Sequence, residues 1–179
     1  MHGPASSGWL LVALCAVTGA YRLARMRSGA AEQRSAAGGE ALMGFGMAAM
    51  AVPTAVFTPP AWTWPVYAVV FGAAGVHALW AARAGAHHLH HLVGAVAMTY
   101  MSVVMAGSPG HGHGQGAPLL TGALLAYFAG YVLLTGVRLV PVAAVAGGGG
   151  PAGWGDRPEL ARACRLSMGI AMVAMLLTL

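Results

Sequence analysis

Methionines recur at helical spacing in three apolar segments of the 179-residue sequence. Residues three, four or seven positions apart share one face of an α-helix, so each segment would carry a stripe of thioethers. Thioether sulfur is a soft, uncharged ligand that selects Cu(I). The alternative is that flexible methionines fill gaps in a bundle rich in alanine and glycine. The stripes are Met43, Met47 and Met50; Met98, Met101 and Met105; and Met168, Met172 and Met175.

A histidine cluster, HHLHH from His87 to His91, precedes the second methionine stripe. His87 and His91 are four residues apart and share a helical face with Met98, and His90 lies beside that face. A pair of imidazoles at this spacing suits a transition metal. The cluster could instead add positive charge at a membrane interface or respond to pH, since imidazole titrates near neutrality.

Two further ionisable residues, His77 and Glu40, fall inside or next to apolar segments. His77 precedes Arg83 by six residues, so we expect it about 9 Å inside a helix end, at a depth similar to His91. An ionisable group in a membrane is a functional candidate, although a neutral, hydrogen-bonded histidine is the alternative. Glu40 could cap the start of a helix, bind a metal, or orient an imidazole.

His111 and His113 lie in a glycine-rich, uncharged stretch between two apolar segments. Two imidazoles in such a loop can capture Cu(II), Ni(II) or Zn(II) weakly. A histidine- and glycine-containing stretch of this kind is also common as a simple linker.

The elements that must position these side chains are membrane helices. Hydrophobic residues make up 58% of the chain and charged residues only 7%, against about a quarter charged in a soluble domain. Six apolar segments of roughly 20 residues are long enough to cross a bilayer core of about 30 Å. We predict an all-α membrane bundle of six transmembrane helices in one domain, 1–179, with Pro53 kinking the second helix and a glycine-rich cytoplasmic linker at 142–157. The segments lie near 8–25, 41–58, 63–82, 87–106, 118–140 and 160–179.

The arginines indicate the orientation of these helices. All nine positive charges are arginines, and they flank the first, third and fifth connections, whereas the second and fourth carry no formal charge. By the positive-inside rule the arginine-bearing connections are cytoplasmic, so both termini are extracytoplasmic. Arginines that flank apolar segments contact lipid headgroups, so we expect the lipid bilayer as a partner and no nucleic acid.

The sequence shows no pattern typical of common enzymes. It has no phosphate-binding glycine loop followed by a basic residue, and no Ser/His/Asp arrangement with nucleophile-elbow glycines. We therefore expect no enzymatic activity.

Three strings resemble a family of small actinobacterial membrane proteins that is catalogued only as a domain of unknown function. They are EALMGFGMAAMAVP from Glu40, HHLHHLVGAVAMTYM from His87, and ACRLSMGIAMVAMLL from residue 163. The resemblance extends over essentially the whole chain and implies a multi-pass protein of the plasma membrane. It implies no activity, substrate or ligand.

Three hypotheses follow for function. The first is copper handling, in which the methionines and histidines bind Cu(I) for transport or for delivery to a membrane partner or cuproenzyme. The second is a b-type haem protein with His77 and His91 as axial ligands. The third is a non-catalytic membrane subunit or scaffold, with a close-packing face of small residues on the fifth helix, at Gly122, Ala126 and Gly130.

Overall fold

The computed structural model describes residues 4–27, 31–82, 89–107, 116–145 and 158–179. These residues form six α-helices and contain no β-strand, which confirms the all-α prediction. The helices are α1 (Pro4–Arg25), α2 (Ala31–Met50), α3 (Thr63–Ala82), α4 (Leu89–Ala106), α5 (Pro118–Val145) and α6 (Pro158–Leu176).

The helices pack as three hairpins. The most extensive contacts join α1 to α2, α3 to α4, and α5 to α6. Between hairpins, α1 contacts α6, and α2 contacts both α4 and α6. The second helix of each hairpin therefore contributes to the centre, where most of the buried hydrophobic side chains lie.

The bounds of α2 differ from the predicted segment 41–58. Helix α2 ends at Met50, and residues 51–62 form turns and extended chain. Pro53 lacks an amide hydrogen and its ring clashes with the preceding helical turn, so it ends the helix instead of kinking it. At the other end, helix-forming alanine, glutamate, glutamine and arginine extend α2 back to Ala31.

Helix α5 also extends beyond its predicted end, to Val145, and so includes the first residues of the predicted linker 142–157. The rest of that linker lies outside the described residues.

Three helices are long and apolar enough to cross a membrane: α3, α4 and the Pro118–Arg138 part of α5. Large apolar side chains on their surfaces are exposed in the isolated chain, among them Val69, Leu119 and Leu133, as expected of surfaces that face lipid. These features are typical of a membrane protein. The remaining helices do not reach the same apolarity within the described residues. Ionisable side chains are the reason in α2, with Glu32, Arg34 and Glu40, and in α6, with Glu159, Arg162 and Arg165.

Glycines bring α1 and α2 into close contact. A Cβ atom on Gly44 would lie 3.0 Å from both the Cα and the backbone nitrogen of Gly19. The two backbones therefore approach where neither residue has a side chain.

The small residues of α5 that were predicted to pack against another helix do not make such a contact. A Cβ atom added to Gly122 or Gly130 would have no heavy atom within 4 Å apart from the backbone of its own helix, and Ala126 is exposed. The prediction that this face packs against another helix is wrong within this chain, because α5 packs on α6 through other residues, including Leu124 and Phe128.

Candidate metal site

The three methionine stripes converge at the centre of the bundle. Met47, Met98 and Met172 are at most 1% exposed, and Met101, Met168 and Met175 are buried in the same cluster. Met43 and Met50 pack against this cluster, whereas Met105 is 38% exposed. Of the nine methionines in the stripes, only Met105 therefore turns away from the shared core.

A small cavity lies where this methionine core meets the histidines. Two imidazoles, from His90 and His91, and three thioethers, from Met43, Met168 and Met172, line it. Its volume is about 10 Å³, close to the roughly 10–15 Å³ needed to accommodate one water molecule. The cavity is thus of the size of a single small ion, and the charged side chains of Glu40 and Arg165 line it together with the imidazoles and thioethers.

Glu40 lies beside this cavity in an ion-pair network. Arg22 Nη1 is 2.6 Å from Glu40 Oε2, and both side chains are almost fully buried. Arg165 Nε donates a hydrogen bond of 3.2 Å to Glu40 Oε1, and Arg22 Nη2 donates one of 2.7 Å to the Ala161 carbonyl oxygen.

This network corrects the helix-capping interpretation of Glu40. Because α2 begins at Ala31, Glu40 lies in the middle of the helix and its carboxylate neutralises arginines of α1 and α6. Its Oε1 also lies 3.7 Å from His91 Nε2, beyond hydrogen-bond distance. Glu40 therefore lies next to His91 and is engaged by two guanidinium groups.

His90 is held by aromatic rings of α5. Its imidazole stacks on Tyr131 with ring centroids 3.9 Å apart and an interplanar angle of 13°. His90 Nδ1 lies 3.4 Å from the Tyr127 hydroxyl oxygen, and the ring edge meets Phe128. These contacts fix the ring plane at the wall of the small cavity.

Gly94 leaves the space that Met43 occupies. A Cβ atom at residue 94 would lie 2.8 Å from Met43 Sδ and 2.9 Å from its Cε. The glycine on α4 therefore allows the thioether of α2 to reach the cavity wall beside His91.

The structure separates the other predicted ligands from the small cavity. His77 is exposed and lines a larger cavity of about 500 Å³, which it shares with His91 and Met43. Met50, Met101 and Met105 line a third cavity of about 380 Å³. His87, His111 and His113 lie outside the described residues.

Within the part of the chain that the structure describes, no group of three or more His, Cys, Asp or Glu side chains could hold a metal ion.

Sequence reasoning missed Arg22 and Arg165 as partners of Glu40, because it assigned the arginines to topology alone. The available signal was Glu40 itself, since a carboxylate in an apolar segment needs a nearby cation. It also missed Tyr127 and Tyr131 as neighbours of His90, because contacts between different helices depend on their relative rotation.

The family profile for a domain of unknown function, DUF5134, matches residues 32–179. No curated protein matches the chain, and no solved structure matches it. The match covers all five helices from α2 to α6 and includes every residue that lines the small cavity. The chain therefore belongs to the DUF5134 family.

Proposed function

We propose that this protein is a multi-pass protein of the plasma membrane that binds Cu(I) in the small cavity between α2, α4, α5 and α6. The single observation that carries the proposal is the meeting of His90, His91, Met43, Met168 and Met172 around a space of single-ion size. Thioethers and neutral imidazoles are ligands that suit Cu(I). Glu40, held by the arginines, lies 3.7 Å from His91 Nε2, and carboxylates next to imidazole ligands are common at metal sites.

The charges around the cavity support a monovalent, soft ion. Arg22 and Arg165 contribute two positive charges near one carboxylate, that of Glu40. A hard divalent cation would meet this net positive charge without oxygen ligands to offset it, since Glu40 is already paired. Cu(I) brings a single charge and bonds to neutral sulfur and nitrogen.

The proposed topology is that of six crossings with both termini extracytoplasmic, as the arginine distribution favours. The three less apolar helices would cross with their charged residues turned towards the bundle interior or the cytoplasmic interface, where such residues are tolerated. Arg22 and Glu40 are buried in this manner.

Handling of copper along the bundle is supported by the continuation of the methionines. Met47 and Met98 lie in the core beyond the small cavity. Met50, Met101, Met105 and Met175 then line a cavity of about 380 Å³ at the opposite end of the methionine stripes. These thioethers lie beyond the proposed binding site and could pass Cu(I) on after it leaves the small cavity, which suits transport or delivery to a membrane or cuproenzyme partner.

The test is Cu(I) titration of the detergent-purified full chain against a chromophoric chelator, without oxygen and with a reductant. We expect one Cu(I) per chain in the small cavity and weaker binding in Met168→Leu and Met172→Leu. Leucine preserves the volume and apolarity of methionine at a cost usually below about 1.5 kcal/mol, but it removes the sulfur.

Met98→Leu is the matched control, because Met98 is equally buried and does not line the small cavity. It should retain the affinity of the unchanged protein. An equal loss in all three variants would place the ion elsewhere, and no Cu(I) binding by folded protein would leave the scaffold hypothesis.

The haem alternative has one supporting observation, since His77 and His91 line the same cavity of about 500 Å³. His91 Nε2, however, lies towards Glu40, and the ring also borders the small cavity. An absorption spectrum of the purified protein distinguishes the two hypotheses, because b-type haem with two histidine ligands produces an intense Soret band.

A further inference from the structure

A second cavity lies between α2, α3 and α4 and shares His91 and Met43 with the small cavity. Its volume is about 500 Å³, within the range of roughly 300–1,000 Å³ that small-molecule sites occupy. Small residues such as Gly38, Ala74 and Ala78 form much of its wall. Because their side chains are short or absent, the space between the helices stays unfilled and leaves room for a ligand.

The cavity is polar at one end and apolar at the other. Arg34 lies near the start of α2 and His77 near the end of α3, at the same end of this antiparallel pair. From there the lining continues to Leu42 on α2 and Val70 on α3. Val70 and His77 are seven residues apart, which corresponds to about 10 Å along a helix. The shape suits an elongated molecule with one polar end.

The charge at the polar end is positive. Arg34 lines the cavity with its guanidinium group, and the imidazoles of His77 and His91 line it too. Behind His91, Arg22 and Arg165 outnumber the single carboxylate of Glu40. Among the described side chains that line this cavity there is no acidic residue. The polar end of the ligand is therefore expected to be an anion.

We propose that this cavity binds one anionic phospholipid, with its phosphate at Arg34 and His77 and an acyl chain along the α2–α3 wall towards Val70. Basic pockets between membrane helices are typical sites for anionic headgroups. The proposal does not depend on copper; it requires only that the chain lies in a bilayer.

Native mass spectrometry of the full chain, released from vesicles of equal parts phosphatidylglycerol and phosphatidylcholine, tests the proposal. We expect one retained phosphatidylglycerol per chain. Arg34→Gln should lower the preference for this lipid about fivefold, which corresponds to about 1 kcal/mol for one arginine near an anionic headgroup. Arg138→Gln changes an exposed arginine of α5 outside the cavity and should leave the preference unchanged.

A second pair of variants tests the position of the acyl chain. Ala74→Phe should abolish retention by filling the cavity, whereas Ala126→Phe, on the exposed face of α5, should not. Equal retention of both lipids, or an equal effect of Arg34→Gln and Arg138→Gln, would overturn the proposal. Displacement of the lipid by soluble glycerol phosphate would assign the site to a free phosphate compound, and a Soret band would assign it to haem. Loss of copper binding alone would leave the lipid result unchanged.

Discussion

Glu40 of α2 and Arg22 of α1 form a buried ion pair, with 2.6 Å between Glu40 Oε2 and Arg22 Nη1 and with side chains only 2% and 3% exposed. Arg22 also donates a hydrogen bond to the carbonyl oxygen of Ala161 in α6. One arginine thus connects the first, second and sixth helices. The pair fixes the end of the bundle at which both histidine-lined cavities lie.

We predict that Glu40→Gln lowers the free energy of unfolding by about 3–5 kcal/mol, the usual cost of leaving a buried charge without its partner. Thermal unfolding of the purified protein in detergent measures the change. Arg165→Gln is the control, because Arg165 is 50% exposed and its loss leaves Glu40 paired with Arg22, so we expect a smaller change of about 1 kcal/mol. Equal melting temperatures for Glu40→Gln and the unchanged protein would show that the pair does not stabilise the fold.

Gly94→Ala should weaken Cu(I) binding while leaving stability nearly unchanged. The new methyl group would approach the flexible end of Met43, which can rotate away and so leave the small cavity. We expect a loss of about tenfold in affinity, the lower end of the effect of disturbing groups around a metal site. Gly136→Ala has open space around its Cβ position and should bind Cu(I) normally. Full affinity in Gly94→Ala would remove Met43 from the proposed ligands.

Gly44→Ala should destabilise the contact between α1 and α2. Its Cβ would lie 3.0 Å from backbone atoms of Gly19 and 3.1 Å from the Cys15 carbonyl oxygen, and backbone atoms cannot rotate away. Overpacking of this kind costs about 1–3 kcal/mol, and thermal unfolding reports it. The same substitution at Gly122, where nothing lies within 4 Å, should be neutral or slightly stabilising because alanine favours helix. If both variants melt alike, the helices do not approach as closely as described.

Tyr131→Leu should weaken Cu(I) binding through His90. Stacking between aromatic rings contributes about 0.5–1.5 kcal/mol, so loss of the Tyr131 ring should raise the Kd about two- to tenfold. Tyr67→Leu removes a tyrosine that contacts Phe71 at 5.8 Å and does not line the small cavity. The titration described above measures both variants, and a larger effect of Tyr67→Leu would contradict the role given to the stacked pair.

The sequence allowed the composition of the core to be anticipated, but not its assembly. Spacing alone placed Met168 and Met172 on one face of α6, since helical periodicity is a local property. Whether that face meets Met47 and Met98 depends on the rotation of each helix about its axis, which long-range packing determines. The contacts of Glu40 with Arg22 and Arg165 could not be predicted for the same reason. They join different helices, and they too depend on how those helices pack.

The predicted bounds of α2 were wrong at both ends, because they followed the local hydropathy and charge of the sequence. Apolarity extends across Pro53, so hydropathy favoured a helix from 41 to 58, whereas the proline ends it. The polar start of α2 was assigned to a connection because its charges resemble those of a loop. Its helix-forming residues outweighed that charge, and this places Glu40 in the interior of the helix.

Methionine, an unbranched side chain with three rotatable bonds, is the most frequent buried residue at the junction between the three hairpins. Branched side chains interlock across an interface between helices. Two helices packed through them can therefore shift past each other only after the contacts between these side chains break. Methionines can instead change rotamer one at a time while they keep the interface filled. Away from the end that Arg22 and Glu40 tie together, the methionines can therefore accommodate small shifts of one hairpin against another without opening voids between them.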